Sequence, residues 1–281
     1  MPFGPDHCGI CRGVVFKHIV HSRIIMKTLP KLAVALSLAI PTLAIPALAQ
    51  ADTSGPAVNI VIVHGDYVDG SGWRVVSDIL SHEGYHVSVV QQPHTTMDAD
   101  VAATREILDQ QFGPVVLVGH DSGGAVIGIA GERDKVKALV YVAALQPDIG
   151  ESISQLTASM PEPSHDFLPT GDGYLFIDRA KFGADFAADQ TSNRTDFLAL
   201  SQVPTTTAKL GVQNWTAAWH QKPSYAIVAT EDHLLSPDLQ RWMYHRAGSK
   251  ITEIKGSHLL YISQPEAVAQ VILDAAQSIK Q

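Results

Sequence analysis

Residues Val115 to Ile127 read Val-Val-Leu-Val-Gly-His-Asp-Ser-Gly-Gly-Ala-Val-Ile, and this stretch limits what the chain can fold into more than any other. Four apolar residues, three of them β-branched, run without a polar break. A strand covered on both faces reads this way, because neither face has to meet water. Gly119-His120-Asp121-Ser122-Gly123 follows as a turn, and the small residues after it predict a helix. Glycines at 119, 123 and 124 let the strand reverse sharply and the helix pack close against it. A strand–turn–helix of this kind holds the central turn residue, Asp121, above a sheet where a small molecule can reach it.

The rest of the chain repeats that alternation. Ala57–Val63 predicts a first buried strand, ending in His64-Gly65-Asp66 and the Gly70-Ser71-Gly72-Trp73 turn. Further strands are predicted at Tyr85–Val90, Lys137–Leu145, Tyr225–Ala229 and Lys250–Ile254. Helical spacing falls between them at Trp73–Ser81, Asp98–Gln111 and Pro237–Ala247, and a closing amphipathic helix at Pro265–Ile279. Strands alternating with helices predict a doubly wound, mostly parallel α/β sheet. Between about 151 and 222 the rhythm stops, prolines and glycines accumulate, and short helical patterns appear at Arg179–Asp189 and Asn193–Leu200. An insertion there is expected to be a helical cap over the active site.

Ahead of this domain, Lys27 and Lys31 lead an apolar run, Leu32–Leu48, that ends in Ala47-Leu48-Ala49. This is a secretory signal pattern, with Met26-Lys27 as its start and a periplasmic or secreted mature protein as its consequence. Residues 1–49 are thus read as leader and signal peptide, and 50–281 as one domain. Pro41 and Pro46 interrupt the run and argue against a membrane anchor. Both cysteines, Cys8 and Cys11, fall in the leader, so their C-x-x-C spacing is read as chance. A formal net charge of −8 with no basic stripe excludes nucleic acid as a partner and gives no basis for stable membrane association. The sequence has no P-loop, dinucleotide fingerprint or metal-ligand cluster, so neither cofactor nor metal is inferred. The expected partner is a small-molecule substrate.

Three chemically capable residues follow predicted strands, in the order Asp121, Asp232, His258. Reactive groups in open parallel sheets gather at the carboxyl ends of the strands. The order nucleophile, acid, histidine matches a nucleophilic triad. Asp148, also after a strand, is the alternative partner for His258.

His64-Gly65 with Asp69-Gly70-Ser71-Gly72-Trp73, Val118-Gly119-His120, Ala143-Ala144 with Pro147-Asp148, Ala229-Thr230-Glu231-Asp232 and Gly256-Ser257-His258 are spread from about 57 to 280. In these motifs the chain resembles the small α/β-hydrolases of the esterase and hydroxynitrile-lyase-like group. The resemblance implies the α/β-hydrolase fold and oxyanion contacts from the backbone N–H groups of Asp66 and Ser122. Most of that group has serine where this chain has Asp121; an aspartate there resembles the epoxide hydrolases and haloalkane dehalogenases of the same fold.

Aspartate at the turn changes the chemistry. A serine makes an acyl-enzyme, whereas a carboxylate attacking an ester would make a mixed anhydride. Its natural target is a saturated carbon, giving an alkyl-enzyme ester that His258, oriented by Asp232, hydrolyses with water. Epoxide or carbon–halogen opening is the favoured reading. The alternatives are a carboxylic ester hydrolase with a variant elbow, and a binding protein for a small ligand without catalysis. A protonated Asp66, sharing a proton with Asp121, is a candidate donor to an epoxide oxygen. Tyr174 is a second candidate donor, Ser122 a displaced nucleophile, and Trp215, Trp219 and His220 candidate pocket residues.

Overall fold

A computed structural model of the chain describes residues 58–161 and 163–279. The signal pattern and the two cysteines lie outside the described residues. Six strands form one parallel sheet: β1 (Asn59–Val63), β2 (His86–Val90), β3 (Val115–Asp121), β4 (Val136–Ala144), and two more called β8 (Ser224–Ala229) and β9 (Lys250–Ile254) because three short strands intervene. Their order across the sheet is β2-β1-β3-β4-β8-β9. β1 and β3 are buried along their whole length, and β4 nearly so, which is what their unbroken apolar runs require. The edge strands β2 and β9 carry His86, Lys250 and Glu253 outward, in keeping with their open edges.

Side-chain alternation divides the core into two layers. Ile60, Ile62, Val116 and Val118 point to the face covered by α1 (Arg74–His82) and by a long C-terminal helix, Pro265–Ser278. Val61, Val63, Val115 and Leu117 point to the face covered by α2 (Met97–Asp109), α3 (Gly123–Ala130) and a helix at Pro237–Arg246. Helix starts follow local chemistry. Thr96 Oγ1 accepts the Ala99 N–H at 3.0 Å ahead of α2, and prolines occupy the first positions of the helices beginning at 237 and 265.

Between β4 and β8 lies the expected insertion, but it is not purely helical. It holds α4 (Ile153–Thr157), a three-stranded antiparallel sheet of β5 (Phe167–Pro169), β6 (Tyr174–Ile177) and β7 (Thr205–Thr206), and the short helices α5 (Phe182–Phe186), α6 (Ser192–Leu200) and α7 (Thr207–Leu210). The helix expected at 179–189 shrinks to one turn and a half. The two helices beyond β8 are α8 (Pro237–Arg246) and, after α9 (Leu260–Ser263), α10 (Pro265–Ser278). No helix of the described residues is long and apolar enough to cross a membrane.

Strand order reverses between β1 and β3, since the chain leaves β1 for β2 on one side and later adds β3 on the other. Ligands of open α/β sheets bind at such a switch point, beyond the carboxyl ends of the strands. Asp66 and Asp121 stand there.

Candidate active site

The elbow begins as a break in the sheet. β3 and β4 pair in register from Val116–Ala138 to His120–Val142, then slip so that Asp121 faces Ala144. Asp121 has φ +50° and Ala143 has φ +43°, the left-handed region that side chains with a Cβ seldom adopt. Strain of about 1–3 kcal/mol per such residue persists only where the surroundings enforce it. Here α3 starts directly behind the turn and lies so close to β1 that a Cβ on Gly123 would sit 2.6 Å from the Val63 carbonyl oxygen. The Leu145 N–H fixes the Asp121 carbonyl at 3.0 Å. The turn therefore cannot relax, and the Asp121 carboxylate is held above the sheet.

Two other loops converge on it. Asp232 follows β8, and its Oδ1 accepts the N–H groups of Leu234 and Leu235, each at 2.9 Å. Its Oδ2 accepts Gln240 Nε2 at 2.8 Å and His258 Nδ1 at 2.7 Å. A carboxylate gripped by four donors orients the imidazole rigidly and leaves His258 Nε2 aimed at Asp121 Oδ1, 3.7 Å away. His258 is fully buried under Phe186 of the insertion, ring centre to ring centre 4.9 Å. His120 secures the same loop by donating from Nε2 to the His258 carbonyl at 3.0 Å. Burial holds its pKa well below the usual histidine value, so it serves as a neutral strut.

The other carboxylate oxygen, Asp121 Oδ2, accepts the Asp66 N–H at 3.0 Å, and the Ser122 N–H beside it favours the charged form of the same carboxyl group. The loop carrying Asp66 is braced by His64, whose Nδ1 bonds the Gly65 carbonyl at 2.9 Å and whose Nε2 accepts the Gln92 N–H at 3.1 Å. Burial lowers the pKa of His64 to about 4, so it too is neutral.

Above the carboxylate lies a cavity of about 220 Å³. Its floor is Asp66, Tyr67, Asp121, Ser122 and Leu145; Ile153, Phe167, Leu175 and Leu210 of the insertion and Leu234 and Leu235 after β8 form its walls. The walls are mostly apolar, with Ser154 and Thr157 of the insertion as their polar members, and the charged groups lie on the floor, as in a site for a small, largely hydrophobic ligand.

Residues 60–271 match the family model described as "Alpha/beta hydrolase family". The chain belongs to the alpha/beta hydrolase family. This hydrolase is 25% identical over 252 residues to salicylic acid-binding protein 2 of Nicotiana tabacum, covering 78% of this chain and 96% of the relative. It is also 25% identical over 258 residues to a pyrethroid hydrolase of Sphingobium wenxiniae, covering 78% of this chain and 88% of the relative. Among solved structures, a pyrethroid hydrolase superposes with TM-score 0.68 at 21% identity, covering 80% of this chain and all of the other. Polyneuridine aldehyde esterase superposes with TM-score 0.67 at 17% identity, over 78% and 98% of the two chains. These likenesses establish the fold. None of the four is named as an epoxide hydrolase or a dehalogenase.

The structure brings Asp121, His258, Asp232, Asp66 and Ser122 together and separates the remaining candidates from them. Asp148 is not the partner of His258; it pairs with His220 at 2.7 Å on the surface. Tyr174 does not line the cavity. Its neighbour Leu175 does, and strand alternation turns Tyr174 the other way. Trp215 is 47% exposed and borders an open surface depression along α2, while Trp219 is buried against His220 with its Nε1 donating to the Pro147 carbonyl at 2.9 Å. Neither lines the cavity. Ser122 Oγ lies 3.4 Å from Lys209 Nζ and makes no hydrogen bond to His258 among the described residues.

Asp66 is not protonated. Burial alone would raise its pKa, but the Lys209 ammonium and then His94 outweigh burial and hold it far below the carboxylate range. It cannot donate to a leaving group. The sequence reading missed Lys209, Asp100 and His94, all fully buried around Asp66. It also passed over Tyr67, which lines the cavity beside Asp66 and Asp121 at φ +65° and stays a phenol because burial and both carboxylates raise its pKa.

Proposed function

We propose that this hydrolase uses Asp121 as a nucleophile on a saturated carbon, with epoxide opening as the favoured reaction. One observation carries the reading: the Asp66 N–H is occupied by Asp121's own carboxylate, and the neighbouring Ser122 N–H favours the charged form of the same group. In a serine enzyme those donors await the substrate's carbonyl oxygen. In an enzyme that builds an ester on its own aspartate, the oxyanion of the second step forms on that aspartate, and the donors belong where they are here.

The steps balance as follows. Asp121 Oδ1 attacks an epoxide carbon, its C–O bond breaks, and the alkoxide takes a proton from Tyr67. His258 Nε2 then takes a proton from water, and the hydroxide adds to Cγ of Asp121. The resulting oxyanion on Oδ2 is held by the Asp66 and Ser122 N–H groups. Collapse expels the diol oxygen, which takes the proton from His258, and the Asp121 acid returns a proton to the Tyr67 phenolate. Carbon–halogen substrates fit less well, because no tryptophan or other side-chain N–H among the described residues lines the cavity to hold a departing halide. The Lys27–Ala49 pattern supports a periplasmic or secreted setting.

Ester hydrolysis is the second reading, favoured by the names of the relatives, with His258 directing water at the substrate carbonyl. A single turnover in H₂¹⁸O separates the two, with styrene oxide and p-nitrophenyl acetate as probes. An alkyl-enzyme route gives product with no label in the first turnover and one ¹⁸O in Asp121. Label in the first product, with none in Asp121, refutes the nucleophile assignment.

A further inference from the structure

Lys209 is the one fully buried lysine among the described residues, and the reaction just outlined makes no use of it. It sits on α7 in the insertion, next to Leu210 of the cavity wall. Its Nζ lies 2.5 Å from Asp66 Oδ1, 2.7 Å from Asp100 Oδ2, 3.0 Å from His94 Nδ1 and 3.4 Å from Ser122 Oγ. The partners come from three separate parts of the core: the loop after β1, the start of α2 with the loop before it, and the elbow. Asp100 works in two directions, because its Oδ1 also takes the His94 N–H at 2.8 Å. Hydrogen bonds from the Thr206 N–H to the His94 carbonyl, 3.2 Å, and from Thr206 Oγ1 to the Thr95 carbonyl, 2.8 Å, fasten the start of α7 to the same loop.

Such a cluster is not explained by stability. Buried ion pairs and triads can commonly be replaced by apolar side chains with no loss. What this one does is geometric. Asp66 supplies the N–H bonded to Asp121 Oδ2, Ser122 supplies the second N–H that favours the charged form of that carboxyl group, and the Lys209 ammonium contacts the side chains of both. We propose that Lys209 is a positioning residue that joins the seating of the insertion to the assembly of the oxyanion donors. With α7 docked, its ammonium fixes Asp66 and Ser122 so that both N–H groups point at one spot. With α7 lifted, the Asp66 carboxylate loses its cation and swings, and the donor pair is lost. The cavity wall and the donors are therefore completed by the same segment, so the site is competent only when closed. This rests on the donor pair alone and holds whether Asp121 or water is the attacking group.

Lys209 also shields Asp121 electrostatically. The titratable groups facing Asp121 are His258, Asp66 and Tyr67, with His120 adjacent in sequence. Those facing Lys209 are Asp66, Asp100 and His94. Removing the ammonium leaves the Asp66 charge unopposed beside Asp121, which disfavours the Asp121 carboxylate and moves its titration to higher pH.

The test uses Lys209→Met in the full chain, read by steady-state kinetics with styrene oxide and p-nitrophenyl acetate. A substrate-free reading accompanies it: the ¹³C titration of the Asp121 carboxyl, assigned by its disappearance in Asp121→Asn. The expected result is a kcat lower by about a hundredfold, the cost of losing an oxyanion donor, with KM changed by less than about threefold. The Asp121 titration moves up by about one unit. A folded Lys209→Met with unchanged kcat and unchanged titration overturns the proposal. If Lys209→Met does not fold, Asp100→Asn serves, since it keeps the shape and leaves the ammonium less compensated. Its expected sign is opposite: the Asp121 titration moves down while kcat falls. An Asp100→Asn protein with neither change equally overturns it. The carboxyl titration needs no turnover, and the ¹⁸O experiment needs no Lys209 variant, so either conclusion can fail without the other.

Discussion

Gly65→Ala tests whether the position of Asp121 Oδ2 controls the reaction. A Cβ on residue 65 would lie 2.8 Å from Asp121 Oδ2 and 2.8 Å from His120 Nδ1, and closer still to Asp121 Cβ. Ordinary carbon–oxygen contact needs about 3.4 Å, so roughly 0.6 Å has to be found. Asp121 cannot retreat, because its φ of +50° is enforced by α3 and its carbonyl is held by Leu145. His120 cannot give way without disturbing the His258 carbonyl it supports. The carboxylate therefore rotates, and Oδ2 leaves the Asp66 N–H. Misplacement on this scale is expected to lower kcat by about a hundredfold. Overpacking costs about 1–3 kcal/mol, which for a domain of this size lowers Tm by roughly 2–12 °C. Steady-state hydrolysis and thermal unfolding by circular dichroism measure the two effects. Gly171→Ala, where a Cβ meets nothing within 4 Å, is the control and leaves both unchanged. A Gly65→Ala protein with kcat within about twofold of the parent would refute the assignment of Oδ2 to the donor pair.

The acid limb of the pH–rate profile is expected above the ordinary carboxylate range, because burial, with Asp66 acting in the same direction, raises the pKa of Asp121. Activity is lost as pH falls through that value, and Asp66→Asn, which removes the repelling charge, should move the limb to lower pH by up to about one unit; a shift upward would contradict the charge arrangement. In the cavity, Phe167→Ala or Leu175→Ala should change kcat/KM by about tenfold, as a gap in an apolar wall does. Tyr174→Phe and Trp215→Ala should leave it within about twofold, and equal effects from both groups would mean that the wall has been misidentified.

Much of the core was legible because burial on two faces leaves a plain mark. β9 falls on the predicted residues, and β1 and β4 fall within two residues of theirs at each described end. Asp232 and His258 could be found because each follows a strand and the triad order is fixed by topology. The insertion was harder. β5 is three residues long and ends in a proline, and β7 is two residues long, so neither carries a period that a strand reading can use. Lys209 was out of reach for a different reason. A lysine in Thr-Ala-Lys-Leu reads as exposed, and its partners at 66, 94 and 100 are over a hundred residues away in sequence. Only the docking of α7 reveals it. Asp66 was found through its backbone, but its side chain was assigned the wrong charge, since the cation that ionises it was missing from the reading.

On the proposed route, the arrangement of buried charge gives Asp121 a role that serine at the same place could not fill. His258 stands between two carboxylates. Burial alone would lower its pKa, but Asp232 and then Asp121 outweigh burial and raise it. In the resting site both carboxylates thus favour the protonated imidazole. On the proposed route, alkylation turns Asp121 into a neutral ester and removes one of the two charges that raise His258. Its pKa falls, so the neutral imidazole, whose Nε2 takes the proton from water, is favoured beside the ester it must hydrolyse. The intermediate thus generates its own base. A serine at 121 has no charge to surrender, so its histidine must be neutral from the outset. Asp66 does not disturb this cycle, because the cation beside it belongs to Lys209 and not to His258. On that route the Asp66–Lys209 pair stays fixed while the Asp121–His258 pair changes with the chemistry, both at the head of β3.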